Sequence, residues 1–184
     1  MTSEKEELVL DAARQVFLRY GYSRATMADV AKAAGISRPA LYLLFPGKEH
    51  VYSAVIHRIN DEAFRDITRG TQATDALARK LEVALERWVA QSWDLERANP
   101  DAGGFFDHTL PVVQEIYAKF QTYLGSLLED AVHASSLEVT PEELARTLLY
   151  SLWGPKAIAK DGIELRRMIT VQVSLVVTAL ERKK

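Results

Sequence analysis

The 184-residue chain has no cysteine. Disulfides, thiolate metal sites and cysteine nucleophiles are thereby excluded, and the composition suits a reducing, cytoplasmic setting. Proline and glycine are scarce, at six and nine residues, so each reads as punctuation between longer elements. No hydrophobic run is long enough for a membrane. The greasiest stretch, Val171–Leu180, is interrupted by Gln172, Ser174 and Thr178, and a span needs about 20 apolar residues. The opening MTSEKEELVL is polar and acidic, so no signal segment is expected. Catalytic motifs are missing as well: there is no nucleophile elbow, phosphate-binding glycine loop, HExxH or dinucleotide fingerprint. Adjacent carboxylates such as Glu129 and Asp130 would point to different sides of a helix. His50, His57 and His133 have no partner of ligand chemistry four residues away. Neither an enzyme, nor a cofactor, nor a metal site is expected.

Strand-like alternation is also lacking, and what is present is helical periodicity. With 48% hydrophobic residues the chain can bury a sizeable core, and the expected fold is all-α with about nine helices. Val9, Ala12, Ala13, Val16, Phe17 and Tyr20 share one helix face, started by the capping box Ser3–Glu6 and stopped by Gly21. Thr26 and Asp29 form a second capping box, and Gly35 ends that short helix. Ser37 caps the next, with Pro39 in its first turn, where no intrahelical donor is needed. Phe45-Pro46-Gly47 is a turn. A helix from Lys48 then carries Val51, Tyr52, Val55, Ile56 and Ile59 inward. Gly70 to Thr74 marks a break, and Thr74 caps a helix with Leu77, Leu81, Leu85, Trp88 and Val89 on one stripe. The stretch NPDAGG, residues 99–104, reads as a loop. Residues 111–134 present Val113, Ile116, Tyr117, Phe120, Leu124, Leu127 and Leu128 on one face. Thr140-Pro141-Glu142-Glu143 opens another helix, which Gly154-Pro155 should bend or break. Lys160-Asp161-Gly162 turns into a last helix.

Net charge is −2, yet residues 12–50 carry six Lys/Arg against Asp29 and Glu49, a local charge of +4. That imbalance fits a nucleic-acid footprint. Two short helices joined by a glycine turn, at residues 26–34 and 37–45, fit a helix-turn-helix. Val30, Ala31 and Ala34 face inward and Ile36 plugs the corner. Leu41 and Leu44 face the core, leaving Arg38, Pro39, Tyr42 and Leu43 outward. Arg38 near the helix start can grip a base edge bidentately. Tyr42 can give its hydroxyl to a phosphate. Lys48 starts a helix, where charge and dipole both favour a phosphate, and Thr26 offers a hydroxyl and nearby amides. Spacing by itself fits an ordinary helical hairpin equally well.

The ordered run TMADVAKAAGISRPALYLLFPGKEHVY closely resembles the N-terminal domain of TetR/AcrR-family transcriptional regulators. Gly21, Thr26, Val30-Ala31, Ala34-Gly35-Ile36-Ser37, Leu41-Tyr42, Phe45 and Lys48-Glu49 carry the match, and AARQVFLRYGY fits the family's first helix. Pro46-Gly47 departs from the polar residues many relatives carry but keeps the Phe-x-x-Lys spacing. The resemblance covers about residues 5–60. It implies a three-helix DNA-binding domain at 1–50 and a helical ligand-binding and dimerisation domain at 51–184. By it, Thr26, Arg38, Pro39, Tyr42 and Lys48 are DNA-contacting candidates. The implied protein is a ligand-responsive regulator, a repressor by the family's habit, that binds a palindromic double-stranded DNA operator as a homodimer. A small, largely apolar effector would release it by shifting the helix from Lys48 to about Phe64.

Residues beyond about 61 hold no motif. Trp88, Phe106, His108, Tyr117, Phe120 and Tyr150 are candidate ligand contacts, because aromatics with polar tips line pockets well; each alone also suits a core. The last helix is apolar around much of its circumference and so is expected to be buried on more than one side. Leu148, Leu152, Ile169, Val173, Val176 and Leu180 are therefore candidates for a four-helix dimer interface, the alternative being that both terminal helices are core.

Overall fold

Glycine, proline and side-chain caps set most of the helix boundaries. The computed structural model describes residues 4–99 and 105–181, and nine helices are found among them. Helix α1 (Glu4–Arg24) buries Val9, Leu10, Ala13, Val16 and Phe17. Ser3, half of the expected first capping box, lies outside the described residues. Tyr20, expected on the inner face, is exposed. Gly21 interrupts rather than ends the helix, with φ 71° and ψ 164°, and one more turn follows.

Helix α2 (Met27–Ala33) begins at the reciprocal Thr26–Asp29 capping box, and α3 (Arg38–Leu44) at Ser37, whose hydroxyl accepts from the Ala40 N–H. Between them Gly35 adopts φ 65°, a left-handed conformation that a Cβ would penalise. Helix α4 (Lys48–Gln72) ends within the break expected from Gly70 to Thr74, although Gly70 itself still lies in the helix. Gly70 instead marks a close approach. A Cβ there would stand 2.7 Å from Val83 Cγ1 and 2.4 Å from an Arg87 guanidinium nitrogen. Thr74 does not cap α5 (Leu77–Ala98); its hydroxyl accepts from the Ala76 N–H at 3.3 Å, ahead of the helix.

The loop expected at 99–104 lies outside the described residues except for Asn99. Helix α6 (Pro111–Ala134) follows, then α7 (Pro141–Ser151) with its Thr140–Glu143 capping box. The chain breaks at Leu152 and resumes as α8 (Trp153–Ile158). Pro155 has no N–H for the Ser151 carbonyl, which accepts from Gln172 Nε2 at 3.2 Å instead. Asp161 caps α9 (Gly162–Leu180) by accepting from the Ile163 and Glu164 N–H groups. No helix among the described residues is long and apolar enough to cross a membrane.

Two compact units result: Met1–Asp61 with Asp94–Gln114, and Glu62–Trp93 with Glu115–Lys184. The division falls inside α4. In the second unit Trp88 stacks on Phe120 at 4.1 Å between ring centroids and 6° between planes. Phe64 meets both rings edge-on, and the Tyr123 and Thr71 hydroxyls share a 2.5 Å hydrogen bond.

The first unit is closed by Tyr52. Its ring is buried and lies 4.6 Å from Tyr22 and 5.2 Å from Phe17, the latter edge-on. Its hydroxyl donates to the Phe105 carbonyl. Phe105 thereby ties the stretch ahead of α6 to α4, within the unit. Burial first, then the charges of Asp107 and Tyr22, holds the Tyr52 hydroxyl well above its ordinary pKa of 10.0.

Tyr52→Phe keeps the ring packing and removes that donor. A buried carbonyl left unpaired should cost about 1–3 kcal/mol in urea unfolding. The unfolded chain ionises its tyrosines first, so wild-type stability is fully present below about pH 10 and falls as pH rises beyond it. The variant should lose stability less steeply there. Equal slopes for the two proteins would show that Tyr52 is not the group protected.

Candidate nucleic-acid interface

Helices α2 and α3 have seven residues each, too few to persist alone in water. They are held by their inner faces: Met27, Val30 and Ala31 of α2 are buried, as are Ala34 after it and Leu41 of α3. What remains outward on α3 is the sequence-expected set. Arg38, Pro39, Tyr42 and Leu43 are all exposed, with Tyr42 at 46% and Leu43 at 87%. Leu44, expected inward, is half-buried.

Thr26 sits at the head of α2, but its hydroxyl is committed. It donates to Asp29 Oδ2 at 2.6 Å and accepts from the Asp29 N–H at 3.2 Å. The Thr26 hydroxyl and the Thr26 N–H, which also donates to Asp29 Oδ2 at 3.0 Å, hold the Asp29 carboxyl below its ordinary pKa, with Lys32 adding to the effect. At neutral pH Asp29 is therefore an anion, and Thr26 has no free proton to offer a phosphate.

Lys48 is also engaged. Its ammonium donates to the Tyr22 carbonyl at 2.8 Å and the Ser23 carbonyl at 3.3 Å, and lies 4.5 Å from the centre of the Tyr22 ring. These carbonyls belong to the turn of α1 beyond the Gly21 break, so Lys48 fastens the end of α1 to the start of α4. An ammonium has three donors, and two are used. Farther along α4, Arg58 pairs with Glu7 at 2.9 Å and Asp11 at 2.7 Å on α1. Its side chain is 18% exposed, which raises this pair above an ordinary surface ion pair. Neither Tyr22 nor Arg58 was anticipated. Arg58 had a legible signal, since Glu7 and Asp11 lie four apart on one side of α1.

The remaining sequence candidates divide between the units. Phe106 and His108 belong to the first and are half-buried. Trp88, Tyr117, Phe120 and Tyr150 belong to the second, where Tyr117 stands edge-on to Trp88 at 5.3 Å and 6.3 Å from Tyr150. Trp88 and Phe120 are buried, Tyr117 is half-buried and Tyr150 is exposed. Of the interface candidates, all but one are buried within the single chain, which fits the alternative that the terminal helices are core. Leu148, Leu152, Ile169, Val173 and Leu180 are 0–6% exposed and serve the core of the single chain; only Val176 retains partial exposure. They have almost no area left for a second copy. The large apolar residues that α8 and α9 leave in solvent are Trp153, Ile158, Ile163, Val171 and Leu175, 48–73% exposed. Their signal was phase: Met168, Val171, Leu175 and Thr178 follow one another at steps of three and four, a second stripe beside the buried one. A groove of about 720 Å³ runs along it, lined by Ile158, Ile163, Met168 and Val171 with Lys160, Asp161, Glu164 and Arg167 among others.

Known proteins share this arrangement. The HTH-type transcriptional activator FasR of Mycolicibacterium smegmatis is 34% identical over 83 residues, 45% of this chain and 38% of that protein. The chain thus spans well under half the length of that relative. The HTH-type transcriptional regulator Rv1255c of Mycobacterium tuberculosis is 28% identical over 178 residues, covering 92% of this chain and 84% of that one. Among solved structures, the fatty acid degradation regulator FadR from Bacillus halodurans superposes with a TM-score of 0.73 over 100% of both chains, at 18% identity. That likeness is one of fold. Residues 9–55 match the family model of bacterial regulatory proteins, tetR family, so the helix-turn-helix segment of this chain is similar to that of TetR-family transcriptional regulators.

Proposed function

We propose that this regulator is a cytoplasmic repressor that binds a palindromic DNA operator as a homodimer and releases it when a small, largely apolar effector occupies its helical body. The observation that carries the reading is the exposed α3 set, Arg38, Pro39 and Tyr42, on a helix whose opposite side is anchored by the buried Leu41. Arg38 reads a base edge and Tyr42 meets a phosphate. Lys48 supplies its third ammonium donor to a phosphate while its other two hold the reader together. Thr26 acts by positioning α2. Residues 1–50 carry the reader, braced by Tyr52, Arg58 and Phe105 of the same unit, and the second unit serves sensing and dimerisation. Effector binding acts through α4, which contributes residues to both units, and works only through different affinities for the bound and released forms. The partly exposed Tyr117 and Tyr150 are the polar tips offered to the effector, beside an aromatic stack that supplies its apolar wall.

Selection of bound fragments from random duplex DNA should enrich a two-fold site with half-sites about 34 Å apart. Arg38→Ala should relax preference at one position per half-site and cost about 1–3 kcal/mol there. A library in which nothing is enriched would sink the operator reading. If Arg38→Ala weakens every sequence equally, Arg38 contacts backbone only.

The second copy docks on the exposed stripe of α9 and on α8. The groove sets Lys160 and Arg167 beside Asp161 and Glu164, so a two-fold axis can bring each sign against its opposite. Val171→Glu and Leu175→Glu change residues that are 52% and 68% exposed in one chain, and the fold should survive them. Sedimentation should then give the monomer mass, with loss of the palindrome's affinity advantage over a half-site. A variant that folds and still sediments as a dimer would place the interface elsewhere.

A further inference from the structure

Leu43 is 87% exposed, more than any other large hydrophobic residue among those described. An isolated exposed leucine needs no explanation, but this one stands on the helix whose outward side carries Arg38. At 100° per residue, Arg38, Tyr42, Pro39 and Leu43 occupy an arc of about 140°. The buried Leu41 and half-buried Leu44 lie across from it. Leu43 therefore adds little to the packing of its own domain and closes one edge of the outward arc, beside Pro39.

The surroundings select the occupant. Residues 12–50 carry a net charge of +4, which suits a polyanion and opposes burial against a greasy protein face. Within a major groove the apolar feature available to a leucine is the C5-methyl group of thymine. We infer that Leu43 is a specificity-determining residue that packs on a thymine methyl, an assignment that rests on the operator reading above. From Arg38 to Leu43 the helix rises about 7.5 Å, and DNA rises about 3.4 Å per step. The thymine lies about two base pairs from the base that Arg38 reads.

The test uses the full chain and its selected duplex, with each thymine replaced in turn by deoxyuridine. That change deletes one methyl and leaves every hydrogen-bonding edge intact. Wild type should lose affinity about fourfold at one position per half-site, the worth of one buried methylene-sized group. Leu43→Ala should bind the thymine and uracil forms equally there, while staying sensitive to the base that Arg38 reads. Circular dichroism should show it folded, since Leu43 is 87% exposed. Failure to select any site would overturn the operator reading and this assignment together. Selection of a site at which no deoxyuridine weakens wild type, or at which Leu43→Ala keeps the full uracil penalty, would overturn the Leu43 assignment and leave the operator reading standing.

Discussion

The contact on which the reader depends is the burial of Tyr52 between Tyr22, Phe17 and Phe105. Two of these rings come from α1, one from the stretch ahead of α6, and Tyr52 itself from α4. Ring contacts of this kind are directional as well as apolar, so they fix angle along with distance. The hydroxyl adds a bond to the Phe105 backbone, which a phenylalanine could not make. Lys48 and Arg58 then secure the two ends of the same helix pairing, one by satisfying carbonyls after the Gly21 break, the other by bridging Glu7 and Asp11.

That lock explains how α2 and α3 can be so short. A seven-residue helix gains too few hydrogen bonds to offset its own nucleation, so its stability comes from what it packs against. Val30, Ala31 and Leu41 supply that packing, and Gly35 permits the turn between the helices. The outward residues of α3 are then free of structural duty. Arg38, Tyr42 and Leu43 can be chosen for a partner's chemistry, because nothing inside the domain needs them.

Much of this was legible. The second and third helices were readable to within a residue or two, since Thr26, Asp29, Ser37 and Pro39 act locally and leave a fixed spacing. The bounds of α6 were readable because Pro111 starts it and a Ser-Ser pair follows Ala134. Long-range facts were not. Gly70 looks like a breaker in sequence and is a close approach in space, made necessary by Val83 and Arg87 some fifteen residues on. Lys48 looked like a free cation at a helix start, because nothing local reveals the Tyr22 and Ser23 carbonyls it satisfies. The terminal helix is apolar around much of its circumference, but within one chain only one stripe of it is buried. The regular stripe of Leu165, Ile169 and Val173 packs inside its own chain, which leaves the flanking stripe for the surface.

Exposed apolar residues on α3 and α9 thus differ in meaning through their neighbours. On α9, Val171 and Leu175 lie beside a groove holding cations and anions together, a mixture that another copy of the same surface can neutralise. On α3, Leu43 stands in a segment where cations outnumber anions by four. A second copy there would bring like charges together and be repelled, whereas the proposed duplex would bring a base edge to Arg38, phosphates to the surrounding cations and a methyl to Leu43. The same hydrophobic effect acts at both places, and the sign and mixture of nearby charge decide which partner each surface accepts.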